Sequence, residues 1–307
     1  MRLEDVLTDP ALAERLAALG VTPAQLEASV RSDTAGHRGD RMMIERAPDG
    51  VLDALLEAFE VPRVDALVAL ERAIREHGLW RIAGWDAGRG CVKLYANASD
   101  APPRVREALG AHVVGVNAFR DGTVERKRYH QREDASGLGD AATRLVEAAG
   151  ALAAGVVVSL DPGDVARAFF VALRPASPEA LDAAFGAVLP GFSSAALAAH
   201  APFAPASPRS IGVAAARFEE WTAYVKPRDA DEPEVWSLEP TARFAIEGGE
   251  VAVYVAPADH DRRVYARVGD HAVSYRVVAG QPSSESIRAL MDRVLARLAA
   301  GRPLDGS

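Results

Sequence analysis

Short runs of alternating apolar and polar residues recur along this chain in pairs, each pair split by a tight turn. Such alternation predicts half-buried strands, and the turns predict antiparallel hairpins. Trp80 to Trp85 and Cys91 to Ala96 flank Asp86-Ala87-Gly88. His112 to Phe119 and Thr123 to His130 flank Asp121-Gly122, a strong hairpin signal. Val156-Val157-Val158 and Arg167 to Leu173 flank Asp161-Pro162-Gly163, and Ser210 to Ala215 precedes Trp221 to Val225. Four denser strands follow: Ala242 to Ile246, Val251 to Val255, Val264 to Val268 and Ala272 to Val278.

Helical patterns fill the intervals. Asp9 and Pro10 open a helix carrying Leu12, Leu16 and Leu19, and Thr22-Pro23-Ala24-Gln25 has the spacing of a capping box. The two predict a helical hairpin over the first 35 residues. A short strand, Arg41 to Arg46, precedes helices at about Val51 to Phe59 and Arg63 to Glu76, with Gly78 as a stop. Further helices are predicted over Pro103 to Leu109, over Asp140 to Ala153, and from Ser177 towards His200. The chain is therefore a degenerate repeat of helix and hairpin, with a period of roughly 30 to 55 residues. Tight turns exclude parallel crossovers, and closure would remove exposed edges. The expectation is an α+β fold in a single domain over residues 1–307: an antiparallel barrel of about ten strands ringed by outer helices. Within it, residues 1–78 are mainly helical, 79–278 carry the hairpin repeats, and 284–300 form a closing helix.

Helices packed outside a barrel need an apolar outer surface, which assigns the strand faces. Val92/Leu94, Ala223/Val225, Val251/Val253/Val255 and Val264/Ala266/Val268 supply it. The alternate positions then line the lumen, and they hold cations two residues from tyrosines: Lys93 with Tyr95, Lys127 with Tyr129, Tyr224 with Lys226, Arg263 with Tyr265. Tyr254 falls in the same alternation, and Tyr275 lies in the last strand. Lys93, Lys127 and Lys226 are the protein's only lysines, so every lysine stands in this relation. One such pair alone is ordinarily a solvated sheet face; four with apolar alternates point inward. The second hairpin fits less well, since Arg126 and Arg128 oppose Lys127 and Tyr129. Converging cations suit an anion, and aromatic faces attract a cation. The ligand expected of such a lumen is a diphosphate at one end, with an apolar group that turns positive during reaction.

Composition narrows the alternatives. A net charge of −8 disfavours a nucleic-acid partner. The single cysteine, Cys91, fits a reducing cytoplasm, the N-terminus lacks a signal-peptide pattern, and no apolar run reaches transmembrane length. The chain reads as soluble and cytoplasmic. Histidines are scattered without ligand spacing, and no metal motif, aspartate-rich motif or Gly-x-Ser-x-Gly elbow occurs. Gly137-Leu138-Gly139 follows no strand and opens a helix rather than a dinucleotide site.

Valine-lysine-x-tyrosine strands within helix–hairpin repeats, best seen in Val92-Lys93-Leu94-Tyr95, resemble the soluble aromatic prenyltransferases of the ABBA-barrel type, over about Leu79 to Val278. The resemblance implies transfer of an allylic group from its diphosphate (dimethylallyl or geranyl) to an aromatic small molecule or peptide. It implies that Lys93, Lys127, Lys226 and Arg263 bind the diphosphate, and that Tyr95, Tyr129, Tyr224, Tyr254, Tyr265 and Tyr275 shield the allylic cation. No cofactor is obligatory, with Mg2+ left open. The chain departs from the pattern at Glu125, where a base is common, and has no secure match to the acceptor-binding acid; Glu45 is the candidate. The competing class is a non-catalytic barrel that binds an anionic lipid or metabolite.

Overall fold

The computed structural model describes residues 2–32, 41–99, 101–132, 134–174, 176–202, 206–227, 242–246, 249–255, 263–268 and 271–276. The chain divides into two compact units, Met1–Arg228 and Asp229–Ser307.

The first unit is a closed barrel of ten antiparallel strands. These are β1 (Leu26–Arg31), β2 (Arg41–Glu45), β3 (Trp80–Asp86), β4 (Cys91–Asn97), β5 (Val113–Phe119), β6 (Val124–Arg132), β7 (Ala153–Leu160), β8 (Ala166–Leu173), β9 (Ala206–Ala214) and β10 (Arg217–Pro227). Each pairs with the next, and β10 returns to β1 with Tyr224 opposite Ser29. Closure satisfies every strand on both sides, so the barrel has no edge to guard. The turns from β3 to β4, β5 to β6, β7 to β8 and β9 to β10 all lie at one end, called the hairpin end here. Arg31 and Arg41 stand there too, since Arg41 is the register partner of Asp86. Helical connections fill the opposite end.

Among the described residues of this unit are seven α-helices: α1 (Pro10–Ala18), α2 (Val51–Ala58), α3 (Asp65–His77), α4 (Pro103–Leu109), α5 (Asp140–Ala149), α6 (Pro178–Phe185) and α7 (Ser194–His200). Their ends follow local chemistry. The Asp9 carboxylate accepts from the amides of Ala11 and Leu12 ahead of α1, and Ser177 accepts from Ala180 at α6. Gly78 stops α3 in the left-handed region at φ 60°, where a side chain would be strained. α3 turns Leu67, Leu70 and Ile74 inward, while α2 and α3 pack on β3, β4 and β5, and α5 packs on β7, β8 and β9. One core joins Met42, Ile44, Leu94, Val171 and Ile211 of the strands to Leu16, Leu55, Leu67, Leu145 and Phe185 of the helices. Val92, Leu94, Ala223 and Val225 thus face out to the helices, as expected, and the alternate positions of β4 and β10 face the lumen. Each buried leucine here contributes ~1.5–3 kcal/mol.

β6 is the exception to this cover. Its outer face carries Arg126, Arg128, His130 and Arg132, and Arg126 and Arg132 are exposed. Arg128 turns to Asp164 at 2.5 Å and to the Pro162 carbonyl at 3.1 Å. With little helix above it, this face has no reason to be apolar, which accounts for the odd alternation of the second hairpin.

Two expectations are corrected. The capping box at Thr22 forms, with the Thr22 amide donating to Gln25 Oε1 at 2.8 Å, but it closes one 3-10 turn, Pro23–Gln25, and not a helix. Gln25 Nε2 donates onward to the Glu45 carbonyl at 3.0 Å, which ties the turn to β2, and the period-two pattern of Leu26, Ala28 and Val30 then continues as β1. The last four strands also differ. β11 (Ala242–Ile246), β12 (Gly249–Val255), β13 (Arg263–Val268) and β14 (His271–Arg276) form their own four-stranded sheet and are not staves of the barrel. The barrel reaches ten strands without them because β1 replaces a predicted helix. The closing helix expected over 284–300 lies outside the described residues.

Candidate functional site in the barrel lumen

The register sets the lumenal rungs. Across β3, β4, β5 and β6, Gly84 stands opposite Lys93, Lys93 opposite Asn117, and Asn117 opposite Glu125. One rung nearer the helical end, Ile82, Tyr95, Gly115 and Lys127 are in line. These side chains share one face of the closed sheet, and it is the face opposite to Val92, Leu94 and Val116 in the outer core.

Towards the hairpin end the lumen is cationic. Arg41 Nε lies 2.8 Å and Lys93 Nζ 3.5 Å from Asp86 Oδ2, so two cations share one buried carboxylate. Lys93 is 6% exposed. Burial, reinforced by the neighbouring Arg41, lowers its ammonium to about 8 even though Asp86 opposes the shift. Glu125 gathers a second group: Asn117 Nδ2 at 2.8 Å, Arg89 Nη1 at 3.3 Å, Lys127 Nζ at 3.6 Å, and an ion pair with Arg167. Burial pushes the Glu125 carboxyl up, but Lys127, Asn117, Arg89 and Arg167 together hold it at about 2. Burial also lowers Lys127, against the pull of Glu125. Counting these side chains gives five cations around two carboxylates, a net positive wall suited to a polyanion.

Tyrosines occupy the middle. Tyr95 and Tyr129 meet edge to face at 5.9 Å and 61°, and the Tyr95 hydroxyl donates to Asn117 Oδ1 at 3.0 Å. Tyr224 meets Phe170 at 5.6 Å. Burial raises all three phenols above their ordinary value, so they stay neutral. Two glycines make room for these rings. A Cβ on Gly115 would run into the Tyr95 ring, and one on Gly212 into Phe170. The rings therefore lie along the wall rather than filling the bore. A cavity of about 160 Å³ opens beside Phe170, with Arg31, Arg41, Gly212 and Thr222 also among its lining.

Towards the helical end the lumen carries two carboxylates, Glu27 and Glu45, with Lys226 and Arg209 acting on them. Lys226 forms an ion pair with Glu45. Glu27 stands opposite Met43 on the same face. Burial raises the Glu27 carboxyl to about 7; Lys226 opposes the shift and Glu45 adds to it.

Of the residues singled out from sequence, Lys93, Lys127, Tyr95, Tyr129 and Tyr224 come together in the lumen. Lys226 and Glu45 are lumenal too, but they lie together towards the other end. Tyr254, Arg263, Tyr265 and Tyr275 sit on β12, β13 and β14, outside the barrel's ten strands. There Tyr254 stands opposite Tyr265, and Tyr275 opposite Val264, so Tyr275 falls on the other face of that sheet. Pattern reading missed Arg41, Asp86, Asn117, Glu27 and Phe170. Arg41 and Asp86 end their strands, where alternation is too short to read. Glu27 was hidden by the capping box before it. Among the described residues there is no cluster of three or more His, Cys, Asp or Glu able to hold a metal ion. No described helix is long and apolar enough to cross a membrane.

No protein-family model matches the sequence, and no curated protein matches it. Solved structures do. The 5-dimethylallyl tryptophan synthase of Streptomyces coelicolor, in complex with DMASPP and Trp, matches with a TM-score of 0.45 and 16% identity, covering 80% of this chain and 96% of that one. The prenyltransferase PriB, in a ternary complex with L-tryptophan and dimethylallyl thiolodiphosphate, matches with a TM-score of 0.47 and 15% identity over 75% and 96%. The 6-dimethylallyltryptophan synthase of Micromonospora olivasterospora matches at 0.45 and 14% over 73% and 93%. The chain is similar to these solved tryptophan prenyltransferases, among others.

Proposed function

We propose that this chain is an aromatic prenyltransferase, moving an allylic group from its diphosphate to an aromatic small molecule or peptide. The observation that carries the reading is the polarity of the lumen: cations towards one end, tyrosine faces in the middle, carboxylates towards the other. The allylic carbon–oxygen bond breaks, and the diphosphate leaves with the electron pair. Arg41, Lys93 and Lys127 are placed to meet the charge growing on it, and each such preorganised group is worth ~100- to 1000-fold in turnover. Tyr95, Tyr129 and Tyr224 face the allylic cation and keep water away. The acceptor ring forms the new bond, and its proton passes to a carboxylate. Glu45 is ion-paired with Lys226, and the Glu27 carboxyl is raised to about 7. We place the protein in the cytoplasm, where Cys91, buried on β4, would stay reduced.

The test incubates the protein with dimethylallyl, geranyl and farnesyl diphosphates and a panel of indoles, phenols and peptides, with and without Mg2+. Mass spectrometry should find a prenylated acceptor. Lys93→Ala should lose most turnover, while Arg75→Ala, on the exposed side of α3, should keep it. No turnover together with no affinity for an unreactive allylic thiodiphosphate would end this reading.

A second reading is favoured by one observation: each lumenal lysine already faces a carboxylate, in Lys93–Asp86, Lys127–Glu125 and Lys226–Glu45. Lysines already held by carboxylates are less free to meet a charge that grows during reaction, which suits a non-catalytic carrier of an anionic lipid or metabolite. Tight thiodiphosphate binding without turnover across the panel would select it.

A further inference from the structure

Proton directions in the lumen follow from a chain of three side chains. Glu125 sits among Arg89, Lys127 and Arg167 and stays ionised, so it can only accept hydrogen bonds. Asn117, with no exposure to solvent, touches it at 2.8 Å and must therefore present its NH2 group to the carboxylate. The amide oxygen is left facing the other way, 3.0 Å from the Tyr95 hydroxyl. That hydroxyl must then donate, because Asn117 Oδ1 has no proton to give. Its single proton is committed to Asn117, and its oxygen, which the Tyr129 hydroxyl also reaches, is left to accept. Gly115 fixes the ring in place, since Tyr95 lies where a side chain on β5 would stand.

We infer that Glu125 and Asn117 are positioning residues that turn the Tyr95 hydroxyl into an acceptor-only group, so that Tyr95 serves the allylic cation and not the diphosphate. The inference rests on the lumen being an allylic diphosphate site. An oxygen that cannot donate has nothing to offer a phosphate oxygen, whereas its lone pairs and the ring face both favour positive charge. The carboxylate among the cations thus has a task besides neutralising them: it orders the polarity of the shield next to them.

The experiment is a double-mutant cycle read by calorimetry with inorganic pyrophosphate at pH 7. Tyr95→Phe is made in the parent protein and in Asn117→Leu, a buried change of similar volume that removes the accepting oxygen and frees the hydroxyl. In the parent, Tyr95→Phe should change the pyrophosphate affinity by less than ~2-fold; in the Asn117→Leu background it should weaken affinity by ~10-fold, the size of a hydrogen bond to a charged group. If Asn117→Leu does not fold, Glu125→Leu serves as the second background, since without the carboxylate the Asn117 amide is free to turn over. A ~10-fold loss already in the parent would show the hydroxyl donating to the anion and would overturn the inference. A silent Tyr95→Phe in both backgrounds would overturn it too, because the hydroxyl would then never answer to Asn117. If the folded parent fails to bind millimolar pyrophosphate at all, the diphosphate reading of the lumen falls, and this inference falls with it.

Discussion

Lys226 and Glu45 form an ion pair that spans a strand: the lysine is on β10, the glutamate on β2, and β1 lies between them. Lys226 follows its tyrosine where Lys93 and Lys127 precede theirs, so β10 itself carries it to the helical end, away from the cations near the hairpin end. Lys226→Met is therefore expected to leave pyrophosphate affinity within ~3-fold of the parent. It should cost ~1–3 kcal/mol of stability in urea at pH 8, because two carboxylates lose their counter-charge. A ~100-fold loss of affinity would instead return Lys226 to the diphosphate group that the sequence pattern first suggests.

Lys93 should give the anion site a pH dependence. Its ammonium is lowered from the ordinary 10.5 to about 8 by burial and Arg41. The protonated form is the one that attracts an anion, so pyrophosphate should bind fully below pH 8 and weaken as pH rises through that value. Titration calorimetry from pH 6.5 to 9.5 reads the inflection. Lys93→Met should bind more weakly throughout and lose the inflection near 8; an unchanged pH profile would place the titrating group elsewhere.

Glu27 should make stability fall with pH over a defined window. Its folded value of about 7 lies above the ordinary 4.5. Between these values the unfolded chain gives up a proton that the folded chain keeps, so folding is opposed progressively from about pH 4.5 to 7 and no further above that. Glu27→Gln removes this contribution. It should match the parent near pH 4.5 and exceed it by ~1–3 kcal/mol at pH 8. Denaturant midpoints that differ equally at both pH values would contradict the assignment.

The contact between Gly115 and Tyr95 predicts a non-additive pair. Gly115→Ala alone forces the tyrosine ring off the wall and should cost ~1–3 kcal/mol by overpacking. In a Tyr95→Ala background the same change meets open space and should cost little. Equal costs in both backgrounds would mean that the ring does not occupy that space in solution.

The barrel was legible in the sequence because its logic is periodic. Apolar residues at Val92, Leu94, Ala223 and Val225 announced an outer face, and Lys93 with Tyr95 then had only the lumen left. Periodicity cannot report which sheet a strand joins, and β12 and β13 repeat the same alternation in a sheet of their own. Nor can it resolve a local signal that has two outcomes. Thr22 and Gln25 make the same reciprocal contacts whether the chain continues as helix or strand, and here a long-range bond from Gln25 to β2 decides. Charge partners such as Asp86 for Lys93 stay invisible for another reason, since they depend on neighbours across the sheet and not along the chain.

Because neighbouring staves all run antiparallel around a closed wall, the wall can grow or shrink only two strands at a time. A helix–hairpin repeat gained or lost would take the circumference from ten strands to twelve or eight and shift the tilt and stagger of all the others. Fine adjustment of the bore is therefore closed to insertion and deletion. It falls instead to single positions such as Gly212 and Phe170, where one glycine decides whether an aromatic ring lies against the wall or stands out into the space a ligand would use.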